Sequence, residues 1–234
     1  MKIEFFHDVI CSFCFPMSYR MRQIKALYPE ADIIHRPFAL AFTSRDLATM
    51  FGSHEEAKQS ILSHWAHANQ NDDLHRFNIE GMTQQSFLFP TSKKPLIAVK
   101  AAELIGGHDL AWDAFDALQH ALFVKNENIS DDTVIKQTMG SLNLSLTTWE
   151  DYFYSPDTIQ LVLDDLQIAH NYGITSVPFI VINEEYALNG AQPLTVIQQT
   201  LDKIHSIESS NNQTFEIAEG DTCKITKEGA WTCD

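Results

Sequence analysis

The sequence predicts an α/β fold in which a mixed β-sheet is interrupted by a long, all-helical insertion. Strand-like segments occur near the start of the chain and again after residue 175, whereas the stretch from about 45 to 155 holds helical patterns without a clear strand. These patterns predict helices over 54–70, 94–106, 110–125, 131–141 and 147–153. The predicted order is β-α-β, a helical block, then α-β-β-α. Two βα halves that end in an antiparallel hairpin place helices on both faces of one mixed sheet.

The first half of this pattern lies at the N-terminus. Residues 2–7 are short, apolar-rich and typical of a strand, and a helical pattern then begins at Ser12 and ends before Pro29. Residues 31–38 are typical of a second strand. A strand, helix and strand in this order predict a parallel pair joined by a right-handed crossover.

The second half follows the helical block. Residues 157–172 predict a helix that Gly173 caps and that carries Ile159, Leu163, Leu166 and His170 roughly on one stripe. A β-prone run over 176–182 is followed by a short return strand at 186–188. Residues 193–207 predict the last helix. These elements add an antiparallel hairpin and a further helix to the sheet.

Composition excludes several classes of partner. The chain has 234 residues, a formal net charge of −15 and 20% charged residues. Nucleic acid and anionic lipid both favour a basic protein surface, so we expect neither as a main partner. No apolar run approaches the roughly 20 residues that cross a bilayer, and acidic residues interrupt the N-terminus where a signal peptide would be apolar. We therefore expect a cytoplasmic protein.

Two of the four cysteines, Cys11 and Cys14, are separated by two residues at the predicted junction of a strand and a helix. Thiol–disulfide exchange needs one thiolate that attacks and a second thiol that resolves the mixed disulfide. At a helix start the first cysteine of such a pair is exposed, and backbone N–H groups and the helix dipole favour its thiolate. The spacing and the position therefore predict a redox-active dithiol.

Three other interpretations of this pair compete with redox chemistry. Two buried structural cysteines are unlikely to fall at this spacing by chance. A zinc site would need a second close pair, but Cys223 and Cys233 have nine residues between them. A structural disulfide is disfavoured in a reducing compartment. We therefore expect redox chemistry and no metal.

A second cluster of metal-ligand residue types lies in the helical block. His64 and His67 share a helical face, and Asp72, Asp73 and His75 follow downstream. We interpret them as a solvated polar face rather than as a metal site. The aromatic residues of the block are interpreted as core, and part of them as the lining of an apolar groove beside Cys11; they are Trp65, Phe77, Phe87, Phe89, Trp112 and Phe115.

The Val177-Pro178 dipeptide opens the β-prone run of the second half. A proline at the start of an apolar strand is, taken alone, most simply an edge or strand-opening proline. Together with the cysteine pair and the order of elements, it looks like the cis-proline loop of thioredoxin-fold proteins. In that loop the backbone of residue 177 lies beside the redox cysteines and pairs with an incoming peptide strand.

Three motifs together resemble the DsbA-like thioredoxin-fold superfamily, and most of all its cytosolic FrnE-type branch of DsbA family oxidoreductases. The motifs are Phe5-x-x-Asp8-x-x-Cys11-x-x-Cys14-Phe15, Gly173-Ile174-x-x-Val177-Pro178-Phe179 and Asn189-Gly190-Ala191-Gln192-Pro193. They span about residues 3–205. The predicted fold is accordingly a thioredoxin-like mixed sheet (β-α-β … α-β-β-α) with an all-helical insertion.

The resemblance also implies roles for single residues. Cys11 is then the nucleophile, Cys14 the resolving thiol and Pro178 the cis-proline. We expect Ser12-Phe13, Val177 and Pro178 to contact the substrate. Family members often carry Pro-Trp between the cysteines, and because the intervening pair tunes the redox potential, Ser12-Phe13 leaves the direction of electron flow open.

Three parts of the chain follow from this organisation. Residues 1–44 and 156–207 form the thioredoxin-like domain, residues 45–155 the helical insertion and residues 208–234 a C-terminal extension. Residues 208–214 of that extension are typical of a linker.

The expected activity is thiol–disulfide oxidoreduction or isomerisation on protein or small-molecule disulfides and thiols, without a bound cofactor. Two alternatives stay open. The first is a glutathione-linked transferase or isomerase like glutathione-S-transferase kappa and 2-hydroxychromene-2-carboxylate isomerase, with glutathione as co-substrate; those enzymes typically carry serine at the active position. The second is a redox-sensing adaptor with little turnover.

The last two cysteines, Cys223 and Cys233, flank a segment with turn character around Gly229. A hairpin folded about Glu228 pairs position 223 with position 233. The sequence leaves two uses open for this pair. One is a disulfide that closes the tail, which is the favoured use, and the other is a second dithiol that exchanges with Cys11 and Cys14.

Overall fold

In a computed structural model the chain forms two β-sheets and a set of helices, described here for residues 1–210, 218–219, 223–225 and 231–233. The strands are β1 (Lys2–His7), β2 (Asp32–Pro37), β3 (Ser176–Val177), β4 (Phe179–Ile182), β5 (Tyr186–Asn189), β6 (Ala218–Glu219), β7 (Cys223–Ile225) and β8 (Trp231–Cys233). The helices are α1 (Cys14–Leu27), α2 (Ser44–Phe51), α3 (His54–Asn71), α4 (Ile79–Gln84), α5 (Lys93–Phe123), α6 (Asp132–Gly140), α7 (Leu146–Phe153), α8 (Pro156–Asn171) and α9 (Leu194–Ser210).

The main sheet has the strand order β2-β1-β4-β5-β6 and is mixed. Strand β1 runs parallel to β2 and antiparallel to β4, and β4 and β5 form an antiparallel hairpin. The predicted parallel pair, the hairpin and the thioredoxin-like mixed sheet with a helical insertion are confirmed. A second, three-stranded sheet of order β3-β7-β8 was not predicted.

Helices α2–α7 lie between β2 and α8 in chain order, where the helical block was expected. Two of them, α2 and α4, were missed. Helix α2 has eight residues and α4 has six, fewer than the window over which helical periodicity is read, and each buries only one residue, Leu47 in α2 and Met82 in α4. The predicted helices 94–106 and 110–125 form one element, α5, which leaves helical geometry at Gly106 and Gly107.

Three details of the predicted elements were wrong. Helix α1 begins at Cys14 rather than Ser12. Helix α9 continues to Ser210, so the first three residues of the predicted linker 208–214 are helical; residues 211–214 lie outside the described part of the chain. The stripe expected to face the core on α8 included Leu163 and His170, which are exposed.

The buried face of α8 instead carries a charged residue, Asp165. Its carboxylate oxygens lie 2.5 Å from Lys100 Nζ of α5 and 3.1 Å from Arg36 Nη1 of β2. A buried carboxylate is tolerated when cations and hydrogen bonds compensate for the lost hydration. The hydrophobic pattern of α8 therefore indicated the wrong face.

The core continues without a break from the main sheet into the helical block. Phe15 of α1 stacks on Phe123 with ring centroids 5.3 Å apart, and Trp65 packs against the same ring at 4.9 Å. Five of the six aromatic residues expected in the core are buried, and the sixth, Phe87, is half-buried. One core serves both the main sheet and the helical block. The division into residues 1–44 with 156–207, 45–155 and 208–234 therefore stays a prediction. Over the described residues, no helix has the length and apolar character that crossing a membrane requires.

Candidate active site

Cys11 and Cys14, the central cysteines of the proposed site, lie in the turn that joins β1 to α1. The Cys11 N–H donates to the Asp8 carbonyl at 3.1 Å, and the Cys14 N–H donates to the Cys11 carbonyl at 3.2 Å. Cys11 therefore precedes the first turn of α1, and Cys14 is its first residue. This is the strand–helix position that the spacing predicted.

The whole Cys11–Cys14 segment is buried. Cys11 and Cys14 have no exposed surface, and Ser12 and Phe13 are 4% and 1% exposed. The expectation that Cys11 is exposed at the helix start was therefore wrong. The Cys11 thiol lies 3.6 Å from the carbonyl oxygen of Val177 and donates to it. The neighbours of this segment, rather than solvent, determine its chemistry in this conformation.

The Cys14 thiol is held in its protonated form. Burial raises the pKa of Cys14, and a hydrogen bond and a charge interaction with Cys11 raise it further. The negative charge of Asp8 acts in the same direction. A thiol that stays protonated acts in the second step of exchange rather than in the first, so this arrangement fits Cys14 for resolution.

Asp8 is a fully buried carboxylate directly after β1. Burial raises its pKa to about 6, while four hydrogen bonds oppose that rise. Asp8 Oδ2 accepts from the Ser92 hydroxyl at 2.6 Å and from the Leu40 N–H at 2.7 Å, and Oδ1 accepts from the Ile10 N–H at 3.2 Å. The carboxylate thus ties the cysteine turn to the loop after β2 and to the start of α5.

Gln119 of α5 supports the same turn from the helical block. It is fully buried, and its Nε2 lies 3.5, 3.3 and 3.4 Å from the carbonyl oxygens of Asp8, Val9 and Cys11. One side-chain amide therefore spans three main-chain acceptors of the turn. Sequence reasoning missed Gln119, because a glutamine more than 100 residues away carries no local signal for this contact.

The Val177–Pro178 peptide bond is cis. The Pro178 carbonyl accepts from the Gly190 N–H at 2.9 Å, and Gly190 has a positive φ of 82°. Gln192 donates its side-chain N–H to the Asn189 carbonyl at 2.9 Å. The Asn189-Gly190-Ala191-Gln192 motif therefore braces the proline loop from β5, and its glycine provides a conformation that other residues rarely adopt.

The second cysteine pair lies in the three-stranded sheet. Strands β7 and β8 are antiparallel, and Cys223 and Cys233 are directly opposite each other. The register is the one that the hairpin about Glu228 predicted. On its other edge β7 pairs with β3, which sets Cys223 opposite Val177. The two cysteine-bearing regions thus meet at Val177, which no sequence pattern indicated.

The side chains of Asp72, Asp73 and His75 in the helical block contact other residues of the chain. Asp72 binds Arg76, with 2.7 Å between Asp72 Oδ1 and Arg76 Nη2, and Asp73 Oδ2 lies 2.9 Å from Arg20 Nε. His75 Nδ1 is 2.6 Å from the Asn69 carbonyl. Within the described part of the chain, no three His, Cys, Asp or Glu side chains form a group suited to a metal ion.

Comparison with known proteins identifies the fold and the family. The model of the DSBA-like thioredoxin domain matches residues 2–202. No curated protein matches the chain. Among solved structures, a putative protein disulfide isomerase from Nitrosomonas europaea is similar with a TM-score of 0.73 at 19% identity, over 90% of this chain and 98% of that one.

Two further structures have the same fold. The cytosolic disulfide reductase DsbM from Pseudomonas aeruginosa has a TM-score of 0.68 at 16% identity, over 86% of this chain and 99% of that one, and it was also solved with GSH. A 2-hydroxychromene-2-carboxylate isomerase has a TM-score of 0.62 at 11% identity, over 91% of this chain and 100% of that one.

These likenesses show the fold, and the family model covers the cysteine turn, the proline loop and the glycine motif that braces it. The chain therefore belongs to the DSBA-like thioredoxin family and is a thiol–disulfide oxidoreductase.

Proposed function

We propose that the chain reduces, forms or isomerises disulfides with Cys11 as nucleophile and Cys14 as resolving thiol. The observation that carries this proposal is the position of the Cys11 sulfur between a protonated Cys14 and the Val177 carbonyl. A thiol donor at one side stabilises negative charge on the Cys11 sulfur. The carbonyl at the other side belongs to a strand edge with which an extended peptide can pair.

In the reducing direction the exchange takes two steps. The Cys11 thiolate attacks one sulfur of the substrate disulfide, that S–S bond breaks, and the departing substrate thiolate takes up a proton. Cys14 then loses its proton and attacks the Cys11 sulfur. The Cys11–Cys14 disulfide forms, the second substrate thiol leaves, and two electrons have passed to the substrate. The oxidising direction is the reverse, and the potential of the couple selects between them.

The test is turnover of insulin disulfides by single-cysteine variants. Cys11→Ser is expected to reduce the rate to that without protein, whereas Cys14→Ser is expected to stop after one mixed disulfide. Full activity of Cys11→Ser would refute the proposal. Equilibration of the wild-type couple with a glutathione buffer measures its potential and hence its direction.

A glutathione-linked activity is the second candidate. Two structural neighbours favour it, namely DsbM solved with GSH and the 2-hydroxychromene-2-carboxylate isomerase. Glutathione is then a co-substrate whose thiol pairs with Cys11. Turnover that survives Cys14→Ser in the presence of glutathione would favour this candidate over the dithiol route.

We also propose a cytoplasmic setting for this activity. The composition and the similarity to a cytosolic reductase support a cytoplasmic enzyme acting on thiols and disulfides. A third candidate, a redox-sensing adaptor, is distinguished by slow exchange together with a stable complex retained after gentle washing.

A disulfide between Cys223 and Cys233 is proposed as a local closure of the C-terminal hairpin. Directly opposite residues of an antiparallel pair have Cα atoms about 4.5–5.5 Å apart, which falls in the range of about 4.4–6.8 Å that a disulfide spans. The observed register supports this use.

A further inference from the structure

The starting observation is that a proposed nucleophile has no exposed surface. Cys11 is fully buried, and the two residues that follow it are 4% and 1% exposed. An attacking sulfur must come within bonding distance of a substrate sulfur, about 2 Å in the product. The described conformation is therefore closed, and some part of the chain has to move before a disulfide reaches Cys11.

Strand β7 is the segment that lies where a substrate would enter. The carbonyl of Val177 touches the Cys11 thiol at 3.6 Å. The strand that contains Val177, β3, pairs antiparallel with β7, with Ser176 opposite Lys224 and Val177 opposite Cys223. Peptides that bind by strand addition use the free main-chain groups of such an edge, and here the chain's own strand already uses them.

The attachment of β7 is short enough to be reversible. Strand β3 has two residues and β7 has three, so only two residue pairs join them. Strand β6, three residues before β7, pairs in parallel with β5 at Leu188 and Asn189. This second attachment keeps the hairpin near the site after β7 leaves, which gives it a high effective concentration against any free peptide.

We propose that β7 is an internal occupant of the peptide-pairing edge at Val177 and that a protein disulfide binds Cys11 only by displacing it. The proposal rests on the proposed function of Cys11, and it concerns the main chain of β7. It predicts that opening of the hairpin limits the access of every reagent to Cys11, and that extended peptides compete with β7 for one edge.

The first test measures alkylation of Cys11 by iodoacetamide in the reduced full-length chain, with peptide mapping by mass spectrometry. Lys224→Pro removes a main-chain N–H from β7. Because β7 pairs with β3 on one edge and with β8 on the other, a proline in it weakens the sheet. We expect Cys11 to be alkylated about tenfold faster, which corresponds to about 1.4 kcal/mol of easier opening. Lys224→Thr removes the same charge but keeps the N–H, and is expected to react like the wild type.

Two further variants separate strand displacement from thiol chemistry. Cys223→Ser with Cys233→Ser keeps the main chain of β7 and is expected to leave Cys11 alkylation slow. Equal rates for Lys224→Pro and wild type, with an unchanged circular dichroism spectrum, would overturn the proposal. None of these readouts needs turnover, so they remain informative if the proposed redox function fails.

Hydrogen exchange gives an independent test on the native sequence of β7. A peptide with one cysteine is captured as a mixed disulfide on Cys11 of the Cys14→Ser variant. The amides of residues 223–225 are expected to lose protection on capture, while those of β4 and β5 keep theirs. Retained protection of 223–225 with peptide bound would contradict displacement.

Discussion

The two cysteine pairs of this chain differ in almost everything except the residue type. Cys11 and Cys14 lie beside each other at a helix start inside the core. The Asp8 carboxylate acts on Cys14, and the Val177 carbonyl contacts Cys11. Cys223 and Cys233 lie opposite each other in the antiparallel pair of the three-residue strands β7 and β8. The difference teaches that spacing alone does not assign a function to a cysteine pair. A helix start favours thiol–disulfide exchange, whereas a cross-strand register favours a disulfide that closes a hairpin.

The largest expected effect separates the pairs by activity. Replacing both central cysteines by Cys11→Ser and Cys14→Ser is expected to abolish insulin reduction with dithiothreitol as reductant, because no exchanging thiol is left at the helix start. The matched double variant Cys223→Ser and Cys233→Ser is expected to keep turnover within about twofold, a change of about 0.4 kcal/mol. Loss of activity in the second variant alone would reverse the comparison.

The second prediction concerns the buried carboxylate beside the central pair. The pKa of Asp8 is raised by burial from 3.8 to about 6, so the folded chain binds this proton more tightly than the unfolded chain. Stability from this group is present at low pH and is lost as the pH rises from about 4 through 6, by about 3 kcal/mol in total.

Asp8→Asn is therefore expected to flatten the dependence of unfolding free energy on pH between 4 and 6.5. Urea unfolding at a series of pH values measures it, and Asp113→Asn, at an exposed helix position of α5, is the control. A wild-type stability that rises over this interval in step with Asp8 ionisation would show that the hydrogen bonds to Asp8 outweigh its burial.

Replacing Gln119 is expected to have a smaller effect on stability, and it tests how the helical block supports the cysteine turn. Gln119→Leu keeps the size of the side chain but removes the side-chain N–H group that reaches three carbonyls of the turn, two of which keep a main-chain donor. We expect the unfolding free energy to fall by about 1–3 kcal/mol and turnover to fall as the turn loosens. Gln137→Leu on the exposed side of α6 is the matched control, and an equal change in both variants would remove the special role of Gln119.

The smallest effect is expected at the C-terminal pair. Under oxidising conditions the intact mass of the double variant Cys11→Ser and Cys14→Ser is expected to fall by two hydrogens as Cys223 and Cys233 join. Because the hairpin is held by short pairings, the melting temperature should change by less than about 2 °C, or under about 1 kcal/mol for a chain of this size. Two free, unreactive thiols would contradict both uses considered for this pair.

The sequence predicted the elements whose signals are local. Strand β1, the cysteine turn and the hairpin of β4 and β5 each carry a continuous pattern of strand-forming or turn-forming residues, and the register of Cys223 with Cys233 follows from counting about Glu228. Helices with a single buried residue, such as α4, lack such a pattern.

Contacts between distant segments were out of reach. The inward face of α8 depends on Asp165 finding Lys100 and Arg36, which lie 65 and 129 residues away along the chain. The contact of Cys11 with Val177 and the pairing of β7 with Val177 each join segments that are far apart along the chain. Neither leaves a periodicity that a single sequence reveals.

The most direct test of the central claim is the capture of a mixed disulfide by the Cys14→Ser variant. A cysteine-containing peptide disulfide is mixed with the variant, the products are digested without reduction, and the linked fragments are identified by mass spectrometry. The account predicts one adduct, on Cys11, that persists because the resolving thiol is gone. Adducts on Cys223 or Cys233 in place of Cys11 would contradict it.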